Sequence, residues 1–312
     1  MWLFSRAADF WLACAGGGIV LIVLALVLHW HGDQELSTAD VLLGELHLGA
    51  TYGAIARSRL WRSMPFEMLL IPLAILAATF ALIYGGEAIL VTTVAIYLAA
   101  WHRGRQNLGI ARYYQLRAGG ALSTWHGRLF GAAIYAPMVA GVAFFTSTAP
   151  LSEGEEYIGL GLDPELLWTL GALAAASVVA YLVFAAGNTR VHPAERWLVV
   201  ANALAFSSAY VLGAWTMSFI LVLALHHEIQ YLYFTYAMAR RSAAGLAEPR
   251  AEWRLLGSFA LWPAIGLASW AVCKYSEAEW IAPLLVGGLL CHYWLDSRIW
   301  TARARRLAIA PG

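Results

Sequence analysis

The stretch Ala224-Leu-His-His-Glu-Ile-Gln-Tyr-Leu-Tyr-Phe234 decides how the rest of the chain is read. It lies deep inside an apolar run, Met217 to Met238, long enough to cross a bilayer. Two histidines and a glutamate in hydrocarbon are costly, so they require a partner, a metal or a water-filled cavity. Three other apolar runs carry a histidine with a polar residue four positions on: His47/Thr51, His102/Gln106 and His292/Asp296, to set beside His226/Gln230. Positions i and i+4 share a helix face. The pattern therefore predicts four helices that turn a histidine-plus-polar face to one interior point.

Working outward, the 312 residues are 61% hydrophobic and only 12% charged. Soluble domains carry about a quarter charged residues, so the composition is that of an integral membrane protein. The expected fold class is all-α, a polytopic helix bundle forming one membrane domain over 1–312. A net charge of +1 argues for no nucleic-acid partner. Cys14, Cys273 and Cys291 have neither disulfide-framework nor metal-type spacing.

Ten spans are expected, at roughly 9–30, 39–56, 65–84, 86–102, 125–147, 165–187, 196–213, 216–238, 254–273 and 279–297. Arginines cluster after every even-numbered span: Arg57 to Arg62, Arg103 to Arg117, Arg190 and Arg196, Arg240 to Arg250, and Arg298 to Arg306. The alternate connections hold Asp33 and Glu35, Glu87, Glu153 to Asp163, and Glu277 with Glu279, with Lys274 the lone exception. The positive-inside rule then places both termini in the cytoplasm, and the expected location is a bacterial inner membrane. The first span is read as an uncleaved helix. Whether Trp101 to Leu116 continues the fourth helix or lies at the interface stays open. His47-x-Gly-x5-Ile55-Ala56-Arg57 and His102-x-Gly-x5-Ile110-Ala111-Arg112 suggest an internal repeat.

Neutral imidazole suits iron, copper and zinc, so His47, His102, His226, His227 and His292 are the candidate metal ligands. His226 and His227 point about 100° apart on a helix. They either serve two ions, or one ligates while the other orients. Gln106, Gln230 and Asp296 are placed to accept from an imidazole N–H. Glu45 and Glu228 are candidate carboxylate ligands or general bases, and Tyr231, Tyr52 and Tyr113 candidate cavity walls. The alternative is that the histidines make ordinary helix–helix hydrogen bonds. His29, His31, His126 and His192 fall near span ends and are expected to be water-exposed, His126 being the one to watch. There is no P-loop, no dinucleotide fingerprint, no zincin motif and no nucleophile elbow.

The segments His102-x3-Gln106-x2-Gly109 and His227-x2-Gln230-Tyr231, with the His-His pair late in the chain and the His292-x3-Asp296 context, resemble the bacterial membrane β-carotene dioxygenase family. That resemblance implies non-haem iron held by histidines, oxygenase activity, and a lipid-soluble substrate, isoprenoid or carotenoid. The clustered histidine boxes of membrane desaturases are absent. The expected function is thus a histidine-ligated iron oxygenase, with the bilayer and a hydrophobic small molecule as partners. Two other readings stand beside it: a haem protein with these histidines as axial ligands, and a proton-coupled transporter using Glu45, Glu228 and Asp296.

Overall fold

The computed structural model describes residues 2–14, 16–28, 34–58, 60–118, 123–148, 157–212, 218–244 and 280–309, with scattered positions between 257 and 275. Among them there is helix and no strand. Expectations that fall elsewhere, including His29, His31 and most of the ninth span, lie outside the described residues.

The helices are α1 (Arg6–Leu12), α2 (Gly16–Leu28), α3 (Gln34–Ser58), α4 (Leu60–Ser63), α5 (Ile71–Tyr84), α6 (Ala88–Arg117), α7 (Thr124–Thr148), α8 (Pro164–Ala186), α9 (Pro193–Phe206), α10 (Ser218–Ala244) and α11 (Ile281–Ile309). Short π-helical turns, Phe66–Leu70 and Ser207–Leu212, precede α5 and follow α9. Helix boundaries follow local chemistry. Ser5 caps α1 by accepting from the Ala8 amide, and prolines open α8 and α9 at their first position. Gly86 turns the chain between α5 and α6 at φ +89°, a conformation that penalises any side chain.

Three helical stretches are long and apolar enough to cross a membrane: Phe66–Tyr84, Thr124–Thr148 and Pro164–Ala186. The first and third bury little of themselves. Along α8, Trp168, Leu173, Val179 and Val183 stand more than half exposed. Apolar faces this bare belong against lipid, so the arrangement is that of a membrane-associated protein.

One difference from the sequence reading, and one question it left open, matter for the site. The first span is not one helix. α1 ends at Leu12 and α2 starts at Gly16, and a Cβ on Gly16 would lie 2.3 Å from the Trp11 indole. The chain doubles back so tightly there that only glycine fits. The break is held by other helices: Gln230 donates to the Ala13 carbonyl at 2.7 Å, and Asp9, fully buried, accepts from the Leu3 and Phe4 amides and from the hydroxyls of Tyr114 and Tyr233. Second, Trp101 to Leu116 continues the fourth helix without interruption, so Arg103, Arg105 and Arg112 sit on α6 and not in a loop.

α10 packs on α2 and α3, α11 on α5 and α6, and α7 on α6, α8 and α9. A polar chain ties three of these: Asn107 Nδ2 donates to Asn202 Oδ1 at 2.7 Å, and Asn202 Nδ2 donates to the Ile134 carbonyl at 2.9 Å, one turn before Pro137. α3, α6, α10 and α11 are left facing a common centre.

Candidate metal centre

Each of those four helices delivers one imidazole: His47 from α3, His102 from α6, His227 from α10 and His292 from α11. All four are buried. His47 Nε2 lies 2.8 Å from His292 Nε2, and His102 Nε2 lies 3.1 Å from His227 Nε2. Ring centroids are 4.6 Å apart for His47/His292 and 4.8 Å for His47/His227, His102/His227 and His102/His292. His47, His102 and His292 offer ligand nitrogens that all lie within 4.8 Å of one another, so this triad could hold a metal ion. Two nitrogens at about 2.1 Å from one ion sit roughly 3.0 Å apart at right angles and roughly 3.4 Å apart in a tetrahedron. The close pairs here match the first of those separations.

His226 does not join them. Its ring packs over Gly18 of α2, 3.6 Å from where a Cβ would sit, and its buried Nε2 has no hydrogen-bond partner among the described residues. The 100° step between neighbours on a helix makes the choice: when His227 faces α6, His226 faces α2.

The supporting groups separate into two kinds. Asp296 approaches the centre, its Oδ2 3.8 Å from His102 Nδ1 while accepting from Trp300 Nε1 at 2.8 Å. The glutamines instead brace backbone. Gln106 Nε2 donates to the His227 carbonyl at 2.9 Å and to Gln230 Oε1 at 3.0 Å, and Gln230 donates to Ala13. Neither amide oxygen accepts from an imidazole. Tyr231 lays its ring 4.1 Å from that of His47, and its hydroxyl accepts from Thr51 Oγ1 at 2.7 Å. Thus Tyr231, held by Thr51, lies against the ring of His47, and Asp296, held by Trp300, faces that of His102.

The rings open onto a cavity of about 690 Å3. Glu45, Glu228, Tyr52 and Arg103 share its polar end with the imidazoles, while Ile265, Leu284, Leu285 and Leu289 make the rest of the wall. Glu228 Oε1 lies 3.1 Å from where a Cβ on Gly44 would be, so that glycine leaves room for the carboxylate between α3 and α10. Tyr113 is elsewhere, packed edge-on against Phe234 in the core.

Several of these residues carried no earlier signal. Arg103 read as a topology marker, and its place on a cavity-facing helix becomes visible only once α6 is continuous. Tyr293 also lines the cavity, its ring 4.8 Å from His102. Its position next to His292 was the available clue.

The two histidines near span ends are not water-exposed. His126 is buried with its Nε2 2.6 Å from Glu195 Oε1, and the Tyr181 hydroxyl donates to the same oxygen at 2.7 Å. His192 is buried between the rings of Trp2 and Tyr114, where its Nδ1 accepts from the Ala194 amide. Charged and aromatic partners from α8 and the N-terminal segment replace the water expected there.

No protein-family model matches the chain, and neither the curated proteins nor the solved structures contain a match.

Proposed function

We propose that this protein is an integral-membrane metalloenzyme, a non-haem iron oxygenase acting on a lipid-soluble substrate. One observation carries the reading: four buried imidazoles from four helices meet nitrogen to nitrogen at the wall of a largely apolar cavity. Nitrogen facing nitrogen places lone pair against lone pair unless a proton or a cation lies between them. A cation satisfies all four at once, whereas a shared proton satisfies one pair. Imidazoles with nearby carboxylates and open positions suit iron among the first-row metals. The arginine alternation supports ten spans with both termini cytoplasmic, and the resemblance to the bacterial carotenoid dioxygenases supports an inner-membrane setting.

Bound iron would supply the position at which dioxygen is activated. The chain's own residues do the remainder. His47, His102, His227 and His292 hold the ion, and Asp296 and Tyr231 set the ring planes of His102 and His47. Leu284, Leu285, Leu289 and Ile265 exclude water and receive the apolar substrate. Glu45 and Glu228 hold or pass a proton at the polar end of the cavity. Haem is the less favoured cofactor, because rings in contact at 2.8 and 3.1 Å leave no slot for a porphyrin plane between them.

Elemental analysis of the purified protein tests the proposal. At least one iron per chain is expected; no iron, copper or zinc above background sinks it.

A further inference from the structure

A second apolar space, a half-open groove with Leu82, Leu90 and Val94 exposed at its rim, adjoins the metal cavity. It measures about 670 Å3 and lies between α5, α6 and α11, lined by Ile75, Leu82, Val91, Leu98, Leu290 and Trp294 among others. Tyr293 borders both spaces, with its ring laid against His102 on one side. Both volumes fall in the range of small-molecule sites, about 300–1,000 Å3.

The polar atoms around the second space are already engaged. The Thr79 hydroxyl donates to its own helix at Ile75 O, and the Tyr97 hydroxyl donates to Ile158 O. Trp294 Nε1 donates to the Glu67 carbonyl, which lies in the π-helical turn before α5. A water needs two to four polar partners to stay in a cavity, and a lining this apolar, with those three donors engaged elsewhere, is a poor seat for one. Nor is there anything to seat the headgroup of a bilayer lipid. The space fits hydrocarbon, and only the tail of something whose polar part is elsewhere.

We propose that this chamber is the tail subsite of the metal cavity: a linear hydrocarbon chain, with its functional head at the imidazoles, runs past Tyr293 into the space between α5, α6 and α11. The proposal rests on the metal-centre reading above. Tyr293 then sets how long a substrate the site accepts, because its ring stands where the two rooms meet.

The test uses 1-dodecylimidazole carrying a diazirine at the tail end, with the metal-loaded full chain in nanodiscs. The imidazole head takes an open coordination position, and photolysis marks where the tail lies. Expected are crosslinks on Val91, Ile75 or Leu290, a butyl homologue that labels only Leu285 or Leu289, and no such label from a dodecanol probe without the imidazole. Tyr293→Trp should return the dodecyl label to the metal cavity. Val94→Trp, at an exposed position on the chamber rim, gives the same readout without touching the core. Dodecyl label confined to Ile265, Leu284 and Leu289 in the wild type overturns the subsite. So does chamber label given equally by dodecanol, which marks ordinary lipid. Metal is assayed on the same samples; a metal-free protein removes the premise and the subsite with it.

Discussion

Two groups of buried histidines in this molecule solve opposite problems. At His126, base meets acid: the imidazole faces Glu195, Tyr181 donates to the same carboxylate oxygen, and each polar atom named finds a complement. At the four-helix centre, base meets base: His47 faces His292 and His102 faces His227, while the Nδ1 atoms of His47 and His292 have no hydrogen-bond partner among the described residues. The first arrangement is complete as it stands and reads as structural. The second brings Nε2 atoms from four helices to one point, where His47, His102 and His292 could hold a metal ion. Burial is alike in the two, so the partner atom is what separates a brace from a site.

The comparison breaks most visibly if ligands are removed. His47→Ala with His102→Ala should take metal content from stoichiometric to background by elemental analysis. Retention of metal in the double variant would show that the ion, if any, sits elsewhere. His126→Ala should do the reverse: metal retained, but about 2 kcal/mol of stability lost, since buried Glu195 Oε1 loses its imidazole partner. A melting experiment with metal assayed in parallel reads both, and metal loss without unfolding would erase the distinction. Asp296→Asn should weaken metal binding by about 10–100-fold, as replacing groups that orient a ligating imidazole does. Chelator competition measures it, and unchanged affinity would mean that Asp296 serves only Trp300.

The smallest effect concerns His192, which lies in the connection before α9. Burial first, and the N-terminal amine second, push its pKa down to about 4, with Asp9 opposing. Its unfolded value is about 6.5. The unfolded chain therefore takes up the proton first, so stability is full above about 6.5 and falls as pH drops toward 4. Protonation also removes the Nδ1 acceptor for Ala194. Amide protection over residues 2–9, corrected for the intrinsic pH dependence of exchange, should fall as pH drops through that window and stay flat above it; a loss of protection confined to pH above 7 would contradict the assignment.

The sequence made the four ligand helices legible because polar side chains in apolar runs are conspicuous, and the i, i+4 pairs gave a face. It also paired His47 with His102 through a shared local pattern, and both rings do reach the same centre. What it could not supply was phase. His226 and His227 look equivalent in one dimension, and only the neighbours of α10 decide which turns inward. The glutamines went astray for a related reason: an amide beside a histidine can serve backbone as readily as imidazole, and the broken α1–α2 segment, whose buried Ala13 carbonyl Gln230 serves, was invisible in a continuous apolar run. Arginines on α6 mimicked a loop because hydropathy falls where a helix leaves hydrocarbon, whether or not the helix ends.

That break in the first apolar run bears on the order of synthesis. α2 has 13 residues, about 20 Å of helix against roughly 30 Å of hydrocarbon. The Ala13 carbonyl takes its hydrogen from Gln230, and Asp9 is gripped by Tyr114 and Tyr233. A nascent chain halted before Gln230 lacks two of those three partners, so the first segment to leave the ribosome is among the last to lock. Stalled intermediates should keep their N-terminus open to protease until α10 has emerged, and protection already complete at the length of α7 would refute that sequence of events.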